Sequence, residues 1–277
     1  MFRSNTKMPH ILCVANQNGG VGKTTTAINL ATALALAEQK ILLVDMDPQG
    51  NLTSGVGLKG QATPAGTIYQ ALTSSDPIED PTAFILQTRV KDMWLIPADR
   101  NLTGAEVELV NLPNREARLR DLLAPLRDRF DFIIVDTPPS LGLLTLNALV
   151  AADAVLIPLN CEYFALEGIA DLVATLRRVR SAMNPTLDLA GVLMTMYDER
   201  TNLGQQVAKD IREFFKDRVF ETVIPRNVRL GEAPSHGLPA ILYDVKSRGS
   251  EAYLALAREL LARESSPPAA STEPQHG

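Results

Sequence analysis

The chain has 277 residues, 45% of them apolar, and a formal net charge of −5. This is ordinary globular composition, and the negative charge excludes a general attraction to nucleic acid or anionic lipid, so any such binding must come from a local patch. The two cysteines, Cys13 and Cys161, do not suffice for a disulfide framework. No apolar run reaches the roughly 20 residues of a membrane span, and the first residues lack the apolar stretch of a signal peptide, which favours a cytoplasmic protein.

Short apolar runs alternate with longer helical patterns along the chain. Several runs are continuously apolar, which is typical of strands covered on both faces of a parallel sheet. The predicted strands are Ile11–Ala15, Ile41–Asp45, Met93–Pro97, Phe132–Asp136, Ala154–Pro158, Leu189–Thr195 and Val219–Ile224. The predicted helices are Lys23–Ala37, Leu141–Ala151, Leu166–Met183, Leu203–Phe215 and Ser250–Glu264. We therefore expect an α/β fold, a single doubly wound, mainly parallel sheet with helices on both faces.

One domain is expected to cover residues 9–264, with a flexible N-terminus at 1–8. The tail, 265–277, has no large apolar residue. It cannot offset the entropy of ordering by burying surface, so we predict that it is disordered.

A glycine-rich loop follows the first predicted strand and leads into a helix. It carries the Gly-Gly-x-Gly-Lys-Thr core of a phosphate-binding loop, although Gln17 stands where the general pattern G-x-x-x-x-G-K-[ST] begins with glycine. The glycines let backbone N–H groups approach phosphate oxygens, the lysine can reach the β- and γ-phosphates, and a threonine hydroxyl can ligate magnesium. The loop therefore predicts binding of ATP with Mg²⁺. The predicted nucleotide contacts are Gly19, Gly20, Val21, Gly22, Lys23, Thr24 and Thr25.

Two other predicted strands end in aspartates. One ends at Asp45, with Asp47 two residues further on, and the other ends at Asp136. Ligands bind outside the carboxyl ends of the strands in an open parallel sheet, so these carboxylates should face the phosphates. Asp136 is placed like the acidic partner of the magnesium ion. Asp47 leads into a Pro-Gln-Gly turn, so it is the better candidate to point at a water beside the γ-phosphate.

Together these motifs resemble the deviant-Walker ATPases of the ParA/MinD group. The motifs are Gly19–Thr26, Asp45–Asn51 and Asp136–Ser140. Three further stretches are similar to the chromosomal ParA (Soj) branch. They are Glu162–Gly168, Thr195–Asp198 and Ile224–Ser235.

The resemblance runs from about residue 10 to 264, and it implies an ATP-dependent homodimer. Such a protein binds double-stranded DNA nonspecifically, associates with the nucleoid and hydrolyses ATP slowly, and a ParB-type partner stimulates it in moving chromosome origins or plasmids. By position, the resemblance implies that Lys23 binds phosphate, Thr24 and Asp136 hold the magnesium, and Asp47 orients or activates the attacking water. Pro225, Arg226 and Asn227 would lie near the adenine.

Asn18 departs from the group's pattern at a catalytic position. The group carries a signature lysine immediately before the two glycines, which reaches the other subunit's nucleotide. Asparagine can donate a hydrogen bond but brings no charge, and the loss of a cation from a phosphoryl-transfer site costs about 10³–10⁵ in rate when the cation is an arginine finger. We therefore expect nucleotide binding to survive and hydrolysis to be impaired, and whether the ATP-driven dimer is impaired with it stays open.

Candidate DNA contacts lie in a locally basic stretch, Arg200–Arg229, which has seven basic and four acidic residues. A patch of that size fits weak, salt-sensitive phosphate contacts. The candidates there are Arg212, Lys216, Arg226 and Arg229, and a second candidate cluster is Arg177, Arg178 and Arg180.

Three alternatives remain open. A MinD-like positioning ATPase would need a basic amphipathic membrane helix at its C-terminus, but Ser250–Glu264 is not basic and should pack on the sheet, so no membrane partner is expected. A redox protein with a bridging iron–sulfur cluster would need exposed cysteines, whereas Cys13 lies in a strand. The third alternative is an ATP-binding scaffold that no longer turns over, because of Asn18.

Overall fold

The computed structural model describes residues 11–161 and 165–265, which form a seven-stranded sheet in the order β3-β4-β2-β5-β1-β6-β7. All neighbouring strands are parallel except β3 and β4, which are antiparallel. The strands are β1 Ile11–Val14, β2 Ile41–Asp45, β3 Leu86–Gln87, β4 Met93–Ile96, β5 Phe132–Asp136, β6 Ala154–Asn160 and β7 Asp188–Thr195. The expected mainly parallel, doubly wound sheet is confirmed.

Helices cover both faces of this sheet. In chain order they are α1 Lys23–Leu36, α2 Asn51–Gly55, α3 Ile68–Thr73, α4 Leu102–Glu108, α5 Arg118–Leu123, α6 Leu143–Ala151, α7 Ala165–Ala182, α8 Asn202–Phe215, α9 Val228–Glu232, α10 Ala240–Tyr243 and α11 Arg248–Ser265. The five predicted helices correspond to α1, α6, α7, α8 and α11, with ends that differ by no more than two residues. The predicted N-terminal segment 1–8 and all of the predicted tail except Ser265 lie outside the described residues.

Successive strand side chains alternate between two hydrophobic cores. In β1, Ile11 and Cys13 join the core beneath α3 to α8, whereas Leu12 and Val14 join the core beneath α1 and α11. Residues on both faces of the inner strands are therefore apolar, which is why these strands read as continuous apolar runs. The apolar face of α11, including Tyr253, lies in the second core, so this helix packs on the sheet as predicted. Within residues 11–161 and 165–265, no helix is both long and apolar enough to cross a membrane.

The predicted strand Val219–Ile224 is wrong. The segment runs beside β7 and donates two backbone hydrogen bonds to it, from Phe220 to the Val192 carbonyl and from Ile224 to the Met194 carbonyl, both at 2.9 Å, but it forms one isolated bridge there, Val192 with Val219, and no continuous ladder. The reason lies in α11, where the Glu259 carboxylate accepts hydrogen bonds from the backbone N–H groups of Glu221 and Thr222, both at 2.8 Å. Because the Thr222 amide binds a side chain, it cannot join the hydrogen bonds of Phe220 and Ile224 into a continuous ladder with β7.

Candidate functional site: a phosphate loop between two acidic strand ends

The phosphate loop joins the end of β1 to α1, which begins at Lys23. Gly22 precedes α1 with φ 88°, a left-handed conformation that a side chain would strain. Within the described chain, no side chain caps this end of α1. The N–H groups of the first turn are therefore available to an anion, and they lie at the positive end of the helix dipole.

Two buried polar side chains tie this loop to β6 and β7. Asn16 is 3% exposed; its Nδ2 donates to the Pro158 carbonyl at 2.8 Å, and its Oδ1 accepts from the Asn18 N–H at 3.0 Å. From the end of β7, the Thr195 hydroxyl donates to the Val21 carbonyl at 2.8 Å. Sequence reasoning missed both braces, because nothing local marks a polar residue that contacts the loop across the sheet.

Lys23 reaches back across the loop. Its Nζ donates to the Asn18 carbonyl at 2.8 Å, and the residue is only 7% exposed. Burial lowers the pKa of this amine, while the negative charges of Asp136 and Asp47 oppose that shift. The ammonium group thus lies close to two predicted site carboxylates, in a loop shaped to receive a phosphate.

Thr24 and Asp136 form a direct pair beside the loop. The Thr24 hydroxyl donates to Asp136 Oδ2 at 2.6 Å, and Asp136 is fully buried at the end of β5. Its other oxygen, Oδ1, is buried without a hydrogen-bond partner among the described residues. Burial first, and the charge of Asp45 second, raise the pKa of Asp136 well above its usual range. A carboxylate held this way is destabilised until a cation or a proton meets it.

These two residues fit a magnesium ion. Mg²⁺ is usually held by one or two protein oxygens together with phosphates and water, rather than by a complete protein cage. Consistent with this, the described residues contain no group of three or more histidine, cysteine or acidic side chains that could hold a metal alone. The Thr24 hydroxyl would be the protein's oxygen ligand, Asp136 would hold the hydroxyl and water ligands around the ion, and a bound nucleotide would supply phosphate oxygens.

Asp47 lies in a tight turn just beyond β2. Its Oδ1 accepts from the Gln49 N–H at 2.9 Å, its carbonyl accepts from the Gly50 N–H at 2.9 Å, and the residue is 6% exposed. The order of the sheet places β2 beside β5, with Asp45 and Asp136 in register. The predicted water-orienting carboxylate therefore lies near the predicted magnesium residue.

The segment predicted to lie near the adenine is paired with the chain that continues from the end of β7. Tyr197, two residues after the Thr195 brace, pairs with Pro225, and the Tyr197 carbonyl accepts from the Arg226 N–H at 3.3 Å. Asn227 caps α9 by accepting from the Arg229 N–H at 2.9 Å. This segment is therefore connected to the phosphate loop through the end of β7, which suits a wall of a nucleotide pocket.

The four candidate DNA contacts are all exposed, but the structure shows ion-pair partners for Arg229. Arg212 and Lys216 are exposed near the end of α8, and Arg226 is exposed before α9. Arg229 is engaged within the protein, since its guanidinium pairs with Glu232 at 2.8 Å and with Asp244 at 3.3 Å. Arg212 and Lys216 are better placed for a phosphate than Arg229, and all four stay predictions.

Cys13, whose place in a predicted strand spoke against a redox protein with an iron–sulfur cluster, is fully buried. Cys13 is 0% exposed within β1, and burial raises the pKa of its thiol far above the usual range. It therefore has neither the access nor the thiolate character of an iron–sulfur ligand.

A strand–loop–helix phosphate cradle with a lysine, a threonine and an acidic strand end defines the chain as a P-loop nucleotide-binding protein. A family model described as an AAA domain matches residues 9–189. The chain is 58% identical over 254 residues to the chromosome partitioning protein ParA of Myxococcus xanthus, covering 92% of this chain and 88% of the relative. It is 51% identical over 255 residues to the sporulation initiation inhibitor protein Soj of Bacillus subtilis, covering 92% and 99%. The chain therefore belongs to the ParA/Soj family of chromosome-partitioning P-loop ATPases, as the motifs predicted.

Solved structures support the same fold and cofactors. One is described as cobyrinic acid a,c-diamide synthase from Mycobacterium smegmatis with bound ATP analog and magnesium; it is 38% identical with a TM-score of 0.78, covering 91% of this chain and 94% of that one. The cell division ATPase MinD of Pyrococcus furiosus is 26% identical with a TM-score of 0.74, covering 92% and 99%. The prediction of ATP and Mg²⁺ is confirmed by such relatives. The amide-forming activity named for the first structure belongs to that protein, since relatives with 58% and 50% identity, from Myxococcus xanthus and Caulobacter vibrioides, are chromosome partitioning proteins.

Proposed function

We propose that the chain is an ATP-switched partitioning protein of the nucleoid. It binds ATP with Mg²⁺ in the phosphate loop, forms a homodimer when ATP is bound, associates nonspecifically with double-stranded DNA, and hydrolyses ATP slowly until a ParB-type protein stimulates it. The observation that carries the proposal is the pairing of Thr24 with Asp136 at 2.6 Å beside Lys23, with one Asp136 oxygen still unpaired among the described residues.

The protein's own contribution to hydrolysis follows from three side chains. Lys23 would transfer its hydrogen bond from the Asn18 carbonyl to phosphate oxygens, and Asp47 would hold the attacking water from its turn. Asp136 would orient the water and hydroxyl ligands around the metal through its two oxygens. Magnesium, when bound, supplies positive charge against the phosphates.

Exposed cations near the end of α8 support the DNA part of the proposal. Arg212 and Lys216 lie four residues apart, and both are exposed. Since the net charge of the chain is −5, attraction to DNA has to be local and should weaken steeply with salt. An ATP-dependent dimer would present two copies of this surface to one duplex, which would make binding depend on ATP.

The test is the binding of a labelled duplex of arbitrary sequence, measured with ATP, with ADP and without nucleotide over a salt series. We expect tight binding with ATP only, weakening as salt rises. Arg212→Ala with Lys216→Ala should reduce the slope of log K against log salt by about 1 for each cation that touches a DNA phosphate. The matched control is Arg177→Ala with Arg178→Ala on α7. Binding equal in all nucleotide states would contradict an ATP switch, and weaker binding in the control alone would move the DNA surface to α7.

Asn18 is the reason to expect slow hydrolysis. Its backbone is tied into the loop, where the N–H meets Asn16 and the carbonyl meets Lys23, so a lysine side chain could be introduced with the loop's hydrogen bonds intact. We expect Asn18→Lys to raise single-turnover hydrolysis by about 10³-fold or more, because it adds a positive charge at the γ-phosphate. Asn18→Gln, which adds length but no charge, is the control. Equal rates for Asn18→Lys and the unmodified chain would rule out this explanation.

A further inference from the structure

Asp45 ends β2 beside the site, yet it does not take part in phosphate or metal binding by any contact described above. The residue is fully buried, and both oxygens of its carboxylate are engaged by the protein itself. Oδ1 accepts from the Asp47 N–H at 3.1 Å. Oδ2 accepts from the Thr53 N–H at 2.9 Å and from the Thr53 hydroxyl at 2.7 Å. A buried carboxylate with three donors of this kind fixes the backbone that supplies them.

Thr53 extends the connection to the next strand. It lies in α2, is 2% exposed, and its hydroxyl oxygen accepts from the Ala98 N–H at 3.1 Å, just beyond β4. The hydroxyl therefore donates to one strand end and accepts from another. Thr53 is also six residues beyond Asp47, so the whole turn between them is held at both ends.

The turn itself fits closely against β4. Gly50 has φ 61°, and a Cβ built there would lie 3.3 Å from the Ala98 carbonyl oxygen. A side chain at this position would press the turn away from the strand. The tight turn at residues 48–50 is therefore held in place by the hydrogen bonds of Asp45 and Thr53.

We propose that Asp45 and Thr53 are positioning residues for ATP hydrolysis, which hold Asp47 at the distance and angle that the attacking water requires. The inference rests on the proposed role of Asp47 in hydrolysis. The network contacts the turn and not the phosphate loop, so its removal should affect the rate of the chemical step rather than nucleotide affinity. A misplacement of about 1 Å in a reacting group can cost about 10²-fold in rate.

The test compares Thr53→Val with Thr53→Ser. Valine keeps the shape but removes the hydroxyl, so the Ala98 N–H loses its acceptor and Asp45 Oδ2 keeps only the Thr53 N–H as a donor; serine keeps both bonds of the hydroxyl. We expect Thr53→Val to lower single-turnover hydrolysis by about 10-fold or more, with the dissociation constants of ATP and ADP within about 2-fold of the unmodified chain. Thr53→Ser should restore the rate to within about 3-fold. Rates are measured with γ-labelled ATP in the unmodified chain and again in the Asn18→Lys background, where the signal is larger.

Asp47→Asn separates the two ways in which this experiment can fail. If Asp47→Asn abolishes hydrolysis while Thr53→Val hydrolyses at the full rate, the positioning role is wrong and the proposed function stands. If Thr53→Val weakens ATP and ADP binding as strongly as it slows hydrolysis, Thr53 supports the fold of the whole site and the positioning role is again wrong. If Asp47→Asn keeps the full rate, or if neither background hydrolyses ATP, the proposed hydrolytic function fails and this inference fails with it.

Discussion

Asp45 and Asp136 occupy equivalent places and are treated oppositely by the protein. Both are fully buried, both end a strand, and they face each other in register between β2 and β5. Asp45 accepts three hydrogen bonds from the backbone N–H of Asp47 and from Thr53. Asp136 accepts one from Thr24, and its second oxygen has no partner in the described part of the chain. The first carboxylate is satisfied by the fold, and the second is left to be satisfied by something that binds.

This difference affects the pKa of each carboxylate and its contribution to the stability of the free protein. Hydrogen bonds to the charged form lower a carboxylate's pKa, and burial raises it. For Asp45 both act, and burial prevails, giving a pKa of about 6 against an ordinary 3.8. For Asp136, burial first and the charge of Asp45 second outweigh the hydrogen bond from Thr24 and the charge of Lys23, and the pKa is raised well above the usual range. Each residue destabilises the free protein at neutral pH, and only Asp136 can recover that stability by binding a cation.

The largest expected effect is the pH dependence that Asp45 contributes to stability. Because its folded pKa is raised, the native state keeps a proton that the unfolded chain releases, so the contribution is complete below about pH 4 and is lost as the pH rises to about 6. A shift of this size corresponds to roughly 3 kcal/mol. The free energy of unfolding in urea is measured for the unmodified chain and for Asp45→Asn, both free of nucleotide and metal. Between about pH 4 and pH 6, the difference between the two proteins should change by this amount. A constant difference would mean that the hydrogen bonds from Thr53 and Asp47 cancel the effect of burial.

The next effect is that Asp136→Asn should lose activity and gain stability. Removal of the carboxylate should lower ATP hydrolysis at saturating nucleotide by about 10–100-fold and raise the Mg²⁺ concentration required. The free energy of unfolding of the nucleotide-free protein should rise by about 1 kcal/mol or more at pH 7, because an unpaired buried carboxylate is removed. The gain should shrink as the pH falls toward 4, where the native and unfolded chains are both protonated.

Thr24→Val is the matched control for that variant, since it removes the hydroxyl partner and leaves the carboxylate. It should raise the Mg²⁺ concentration required for activity in the same way, without raising stability. An Asp136→Asn protein that is less stable than the unmodified chain at pH 7 would contradict this account, because it would mean that the Asp136 carboxylate stabilises the nucleotide-free fold.

The sequence predicted the ends of these strands but could not distinguish the two aspartates. Val44-Asp45 and Val135-Asp136 look alike as apolar runs closed by a carboxylate. The difference arises from Thr53, which lies eight residues beyond Asp45 and is brought back by the tight turn at Gly50. Such a contact has no local signature, whereas the phosphate loop is contiguous and therefore readable.

The fold, too, could be predicted only where the signal lies within one contiguous segment of the sequence. Long segments with a clear period, such as α1 and α11, were found because helices of that length show amphipathic or apolar repeats. The short helices α2 to α5 have five to seven residues each, too few for a period, and they were missed. Val219–Ile224 has the composition of a strand, but Glu259 takes two of its amides, and no propensity reveals a side chain of another helix.

The smallest expected effect concerns the phosphate loop. Like Asp45, Thr195 uses its side chain for a hydrogen bond within the protein. Its hydroxyl is 2.8 Å from the Val21 carbonyl, and Val21 is 1% exposed, so Thr195→Val leaves a buried carbonyl without its partner. We expect nucleotide binding to weaken by about 1 kcal/mol, which is roughly a fivefold rise in the dissociation constant. ATP and ADP should be weakened equally, because the brace supports the loop and not the γ-phosphate. Calorimetric titration of both nucleotides into Thr195→Val, with Thr195→Ser as control, measures this; an effect confined to ATP would show that Thr195 acts on the terminal phosphate and not on the loop.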